Sequence, residues 1–327
     1  MNTLANSSFN KQGFSVAIQR LLLGWVILLL LGSPLAWGQP ATISGTLGAV
    51  GSDTMAGLML RWGETLTTRY PQVTLQFQAA GSASAPSALM AGTTRLGPMS
   101  RPMTAAERDN FIERYGYPPL ELKVARDALI VVVHRHNPLR VLTRQQVDAI
   151  FSTSNACGAE APIRRWAQLP ATHDWAFGTI ALHGRNLASG THGLFQARAL
   201  CGGDFRNDIS EHPGSSAVVA AVGESPNAMG YAGYNHLTPA VHAVSLYDSN
   251  GVATPPSEAA IQSGDYPLSR YLYLYVNLPP GDSLPPAEQA FIALIMSEQG
   301  QQIARASGFV PLAPEVLKQQ ARQVPVI

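Results

Sequence analysis

Lysine is nearly missing from this chain. Beyond residue 38 only Lys123 and Lys318 remain, and no Gly-Lys-Ser/Thr occurs anywhere, which excludes a Walker-type nucleotide loop. Charge of either sign is scarce: 13% of residues are charged and the formal net charge is +1. That balance gives no electrostatic reason to expect a nucleic-acid partner. No G-x-S-x-G elbow is present, which removes the commonest serine-hydrolase geometry. The 2 cysteines and 8 histidines are scattered without a zinc spacing, so neither a metal centre nor another cofactor is expected. Catalysis therefore has little to build on, and the reading is of a protein that is not an enzyme.

Long apolar runs are also lacking, with one exception. Residues 21–31 form an unbroken hydrophobic stretch apart from Gly24, preceded by Lys11 and Arg20 and followed by the small-residue segment 33–38. A positive start, an apolar middle and an A-x-A-like end describe a secretory signal peptide. The run is shorter than the ~20 residues a membrane span needs. Residues 1–38 are read as this leader, with cleavage near Gly38/Gln39 and a soluble periplasmic product. Outside the cytoplasm an even pair of cysteines suggests a disulfide, Cys157 to Cys201, although two buried thiols fit the sequence too.

Beyond the leader, strand-like and helix-like segments alternate. Val73, Leu75 and Phe77 mark a half-buried strand. Met55, Leu58, Met59, Trp62 and Leu66 share one face of a helix expected to start at Thr54, with Ser52 or Asp53 as its N-cap. Thr104 with Glu107 and Thr143 with Gln146 are capping boxes. Residues 129–133 and 272–276 are buried strands, and 290–296 and 301–307 close the chain as helices. The stretch 250–265 reads as a surface loop. The alternation argues an α/β protein with mostly parallel sheets.

Against that background stand three short hydroxyl-and-glycine turns between a strand and a helix. They are Gly51-Ser52-Asp53-Thr54, Gly81-Ser82-Ala83-Ser84 and Arg185-Asn186-Leu187-Ala188-Ser189-Gly190-Thr191. A helix start offers unpaired N–H groups and a partial positive charge, and small hydroxyl residues let an anion approach the backbone. Three such starts and an arginine describe a site for a small tetrahedral oxyanion.

These turns, together with 97–103 (Gly-Pro-Met-Ser-Arg-Pro-Met), 230–233, 266–270 and 308–312, resemble the periplasmic phosphate-binding proteins that serve bacterial ABC importers. The resemblance spans roughly 45–312. It implies a two-lobed, type II-like periplasmic-binding-protein fold with a ligand cleft between lobes, the first from 42–126 and 245–327, the second from 127–244. It implies hydrogen phosphate as ligand, ABC permease subunits as membrane partners, and a monomer. The residues that match the family's ligand set are Ser52, Asp53, Thr54, Ser82, Ser100, Arg101, Arg185, Ser189, Gly190 and Thr191, with a bidentate contact from Arg185. One departure stands out. Some members carry an aspartate after the serine matching Ser100, and it accepts the phosphate proton. Here that place is Arg101, which only donates. Asp53 is then the candidate acceptor, or it merely caps its helix, while Arg101 adds charge or braces the turn. His192 is expected to be a partly exposed helix residue. The competing readings are a receptor for sulfate or molybdate, and a secreted scaffold or adhesin that reuses the fold.

Overall fold

A computed structural model describes residues 43–169 and 178–324; the leader expected at 1–38 lies outside them. The strands are β1 Gly45–Val50, β2 Val73–Gln78, β3 Leu96–Met99, β4 Leu120–His134, β5 Val141–Leu142, β6 Ala181–Arg185, β7 Ser210–His212, β8 Ala228–Gly233, β9 Val241–Ala243, β10 Ser245–Tyr247, β11 Ala253–Thr254 and β12 Ser269–Val276. Nine of them share one sheet in the order β2-β1-β3-β12-β4-β8-β6-β7, with β9 also on β4, while β11-β10-β5 make a small second sheet.

The sheet is mixed. The triplets β2-β1-β3 and β8-β6-β7 are parallel, as the alternation of strands and helices predicts. Between them β4 and β12 run antiparallel to their neighbours. β4 is the reason. Its first half, to Ala128, pairs with β12, and its second half, from Leu129, pairs with β8. The sequence marks only that second half, because 129–133 are buried on both faces while the first half alternates.

Two large apolar cores follow, with a third, smaller cluster of Ala85, Leu89, Met99, Phe111, Tyr273 and Tyr275. One gathers Leu47, Leu58, Trp62, Leu122, Leu272 and Phe291; the other gathers Val131, Phe151, Phe195, Val218 and Tyr231. Leu246, Ile261, Tyr266 and Leu268 belong to the second core. The stretch 250–265 is not an irregular loop. It holds β11 and the helix Glu258–Ser263, started by the Ser257 hydroxyl accepting from Ala260 N at 3.2 Å and pinned by buried Ile261. A short helix with one buried residue leaves too weak a period to be read in sequence.

Both capping boxes form as expected, at Thr104–Glu107 and Thr143–Gln146. The first helix differs. It begins as a 3-10 turn, Asp53–Met55, and becomes α-helical at Ala56–Arg69, with no side-chain cap from Ser52. Cys157 and Cys201 are joined in a disulfide. With a sequence separation of 44, the loop it closes is worth about 4 kcal/mol in the chain-entropy account. Replacing both cysteines by serine is expected to lower Tm by roughly 8 °C, read by calorimetry; an unchanged Tm would contradict this.

Candidate functional site

The three turns meet where the two cores face each other. From the first core, the chain leaves β1 at Gly51, and Ser52 N donates to Pro98 O at 2.8 Å. That hydrogen bond draws the Asp53–Met55 turn against the end of β3. After β2, Gly81 N donates to Gly51 O at 2.8 Å, stacking the second turn on the first. Gly81 has φ +98°, and a Cβ there would fall 2.3 Å from Ala188 O, so both its conformation and its surroundings require glycine. Ser82 Oγ accepts from Ser100 N at 3.0 Å and lies 3.2 Å from Ser100 Oγ.

From the second core, β6 ends on Arg185 and the helix Gly190–Ala199 follows. Ser189 caps it, accepting from Thr191 N at 3.2 Å. This cap keeps the Ser189 hydroxyl at the positive end of the helix with its own proton free to be given. The two sides touch at several points. Ala83 N donates to Ala188 O at 3.2 Å. Thr54 Oγ1 and Thr191 Oγ1 are 3.2 Å apart. A Cβ on Gly190 would sit 2.4 Å from Ser82 Oγ and 2.5 Å from Ser100 Oγ, so only glycine fits between the two serines.

Ser52, Thr54, Ser82, Ser100, Arg185, Ser189 and Thr191 are all buried. Burying so many hydroxyls costs free energy unless each finds a partner. Ser52 Oγ has none among the described residues, nor does Asp53 Oδ1. Asp53 does not cap its helix; its other oxygen, Oδ2, accepts from Arg185 Nη2 across the interface. Arg185 also donates to His212 O at 3.4 Å, Ser215 Oγ at 3.1 Å and Pro213 O at 2.9 Å. Four of its five N–H groups are thus engaged by protein, which leaves one on Nη1. The bidentate contact expected from Arg185 is spent on Asp53 and the chain after β7 in this arrangement.

Arg101 stands differently from the other sequence candidates. Its guanidinium grips Glu107 with both nitrogens at 2.7 Å and donates to Pro102 O at 3.0 Å. Glu107 is itself the N3 residue of the Thr104 capping box. Burial pushes its carboxyl up, but hydrogen bonds from Arg101 and Thr104 outweigh that and hold it below the usual range. Arg101 braces the turn after β3. His192 is buried rather than partly exposed, lying against Phe205 at 4.4 Å between ring centres, and burial holds its imidazole below the usual range. Tyr231 is a core residue whose hydroxyl accepts from Arg185 N at 3.1 Å.

Sequence reasoning missed Asp127, Arg270 and Ser215. Arg270 and Asp127 form a buried ion pair beside the site, and Ser215 Oγ links Arg185 to Gly233 N. Signals existed for the pair: an aspartate heading a wholly apolar strand, and an arginine between Ser269 and a run of aromatic strand residues. What joins them is strand register, which no local pattern carries.

Geometry of this kind does one thing well. Hydroxyls, helix-start N–H groups and a compensated arginine from two cores face one another here, a set of neutral donors chemically suited to a small anion. That is the layout of a two-lobed periplasmic binding protein. A family profile, the PBP superfamily domain, matches residues 38–299. The chain belongs to this superfamily and, within it, to the family of PstS phosphate-binding proteins. It is 45% identical over 283 residues to the phosphate-binding protein PstS of Pseudomonas aeruginosa, covering 86% of this chain and 88% of that one. In fold it is similar to a Clostridium perfringens protein described as a phosphate ABC transporter substrate-binding protein with bound phosphate. The TM-score is 0.69 at 22% identity, over 82% of this chain and 100% of that one. It is also similar to an ABC-type phosphate transport receptor from Vibrio cholerae, with a TM-score of 0.65 at 22% identity, over 81% and 99% of the two chains.

Proposed function

We propose that this protein is the exported receptor of an ABC phosphate importer, taking hydrogen phosphate into the cleft between its lobes. The relative most informative here is the Pseudomonas aeruginosa protein, whose name is phosphate-binding protein PstS. The observation that carries the chemistry is Asp53. One carboxylate oxygen ties Arg185 across the cleft, and the other is buried with no hydrogen-bond partner among the described residues.

The lobes that close are residues 43–128 with 269–324, and 129–268, a division supported by the two cores. Ligand contacts from both sides favour the closed arrangement. Ser52, Thr54, Ser82, Ser100, Ser189 and Thr191 donate hydroxyl or backbone hydrogens, and the starts of the two helices add their dipoles. Arg185 balances charge with Asp53 and gives its remaining N–H. Asp53 Oδ1 accepts the P–OH. Among the described residues no helix is long and apolar enough to cross a membrane. The leader at 1–38 delivers the chain to the periplasm, where it works as a monomer and passes phosphate to separate permease and ATPase chains. It performs no catalysis, and pure protein is expected to leave p-nitrophenyl phosphate intact.

Selectivity follows from Asp53. Sulfate at neutral pH carries no proton to give, so a buried acceptor beside it stays unpaired and repels it. A mismatch of this kind costs on the order of 1–3 kcal/mol or more. Calorimetric titration of protein unfolded and refolded to remove carried ligand is expected to give one-to-one phosphate heat and none from sulfate. In Asp53→Asn the preference for phosphate over sulfate should narrow by about tenfold or more. An unchanged preference would remove Asp53 as the acceptor, and equal binding of both anions by the wild type would reopen the choice of oxyanion.

A further inference from the structure

Two strands, β4 and β12, lead from one core to the other, and at the crossing they carry a buried ion pair. Asp127 and Arg270 stand directly opposite each other in the antiparallel register. They are 1% and 3% exposed. Arg270 Nε donates to Asp127 Oδ2 at 2.9 Å, and Nη2 reaches the same oxygen. Taking two charges out of water is expensive, so a buried pair is weak evidence for stability.

The remaining donors of Arg270 suggest another task. Nη1 donates to Ser100 O at 3.0 Å and to Thr191 Oγ1 at 3.1 Å. Ser100 follows β3 of the first core, and Thr191 lies in the first turn of the helix Gly190–Ala199 of the second. An arginine can only donate, so Nη1 fills a lone pair on Thr191 Oγ1. The Thr191 proton must then point elsewhere: toward Thr54 Oγ1, 3.2 Å away, or toward an anion in the cleft. A charged donor on that lone pair also makes the hydroxyl a stronger donor in turn.

We propose that Arg270 is a positioning residue of the anion site, turning Thr191 into a hydroxyl donor to phosphate and latching the second lobe onto Ser100. The proposal rests on the phosphate reading given above. Asp127 holds the guanidinium in place. Arg270 itself does not touch the anion. Its latch exists only when the helix Gly190–Ala199 is docked on Ser100, so its loss should accelerate release and leave capture alone.

The test is a double-mutant cycle on the full protein, with phosphate affinity from calorimetry and rates from stopped flow. Arg270→Gln alone strands a buried aspartate, so the working variant is the pair Asp127→Asn with Arg270→Gln, which removes both charges together. In the wild-type background this pair should raise Kd about tenfold, the size of one charge-assisted hydrogen bond, through dissociation, with association within about twofold. In a Thr191→Val background the same pair should change Kd by less than about twofold. Equal losses in the two backgrounds, or a loss carried by association, would make Arg270 a structural ion pair and overturn the proposal while the phosphate reading stands. Wild-type protein that gives no phosphate signal would overturn both.

Discussion

Gly190→Ala is expected to destroy tight phosphate binding while leaving the protein folded. The added methyl group would sit 2.4 Å from Ser82 Oγ, 2.5 Å from Ser100 Oγ and 2.8 Å from Ser82 Cβ. Neither serine can step aside, because Ser100 N is hydrogen-bonded to Ser82 Oγ at 3.0 Å and both residues are fully buried. The helix start must therefore stop short of them, and the contacts that depend on full closure are lost together. These include the pair Thr54–Thr191 and the backbone bond from Ala83 to Ala188. Phosphate would then be held by one lobe. We expect Kd to rise at least about 100-fold, which is roughly 2.7 kcal/mol. Stability moves the other way or not at all, since alanine is the better helix residue by about 1 kcal/mol and the unliganded lobes need not close. Calorimetry read beside Tm separates these effects. A Kd within threefold of wild type would mean that the cleft does not close through this contact.

Arg185→Gln is expected to have the second-largest effect, and it should damage both binding and stability. Arg185 is 1% exposed, and it ties Asp53 of one lobe to Ser215 and two backbone carbonyls of the other. Truncation leaves Asp53 and those acceptors without their donor. Removing one partner of a buried, hydrogen-bonded charge pair costs about 2–5 kcal/mol, or a Kd raised roughly 30- to 5000-fold. Much of that is the cost of an unpaired carboxylate. Adding Asp53→Asn to Arg185→Gln should therefore recover part of the lost Tm while phosphate affinity stays low. Arg185→Lys keeps the charge but not the planar fork, and should fall between wild type and Gln. If Lys and Gln both bound like the wild type, Arg185 would have no part in holding the ligand.

The three turns that meet at the candidate site are legible in the sequence because their pattern is local. A hydroxyl residue, a glycine and a helix start lie within a few positions of one another, as at Ser189-Gly190-Thr191. Local pattern also gave both capping boxes. It did not give Arg185 to Asp53, 132 residues apart, or Arg270 to Asp127, 143 apart. Those pairs exist only after the strands are in register and the lobes have met. The role of Arg101 was open for a related reason. Its partner Glu107 was already read as a capping residue, and nothing in sequence says that one carboxylate does both jobs. The mixed sheet is not legible in the sequence because β4 changes neighbours halfway along, and its first half carries the weaker alternation.

The path of β12 also bears on when this chain can fold. The first core needs β12 wedged between β3 and β4, where Val276 pairs with Leu96. No native sheet can join β3 to β4 until that last strand has been synthesised. Contacts so distant in sequence make folding slow, because the loop must close before the pairing rewards it. The second core draws its strands, β4 to β11, from before β12, so it is the first core that must wait for the strand at 269–276.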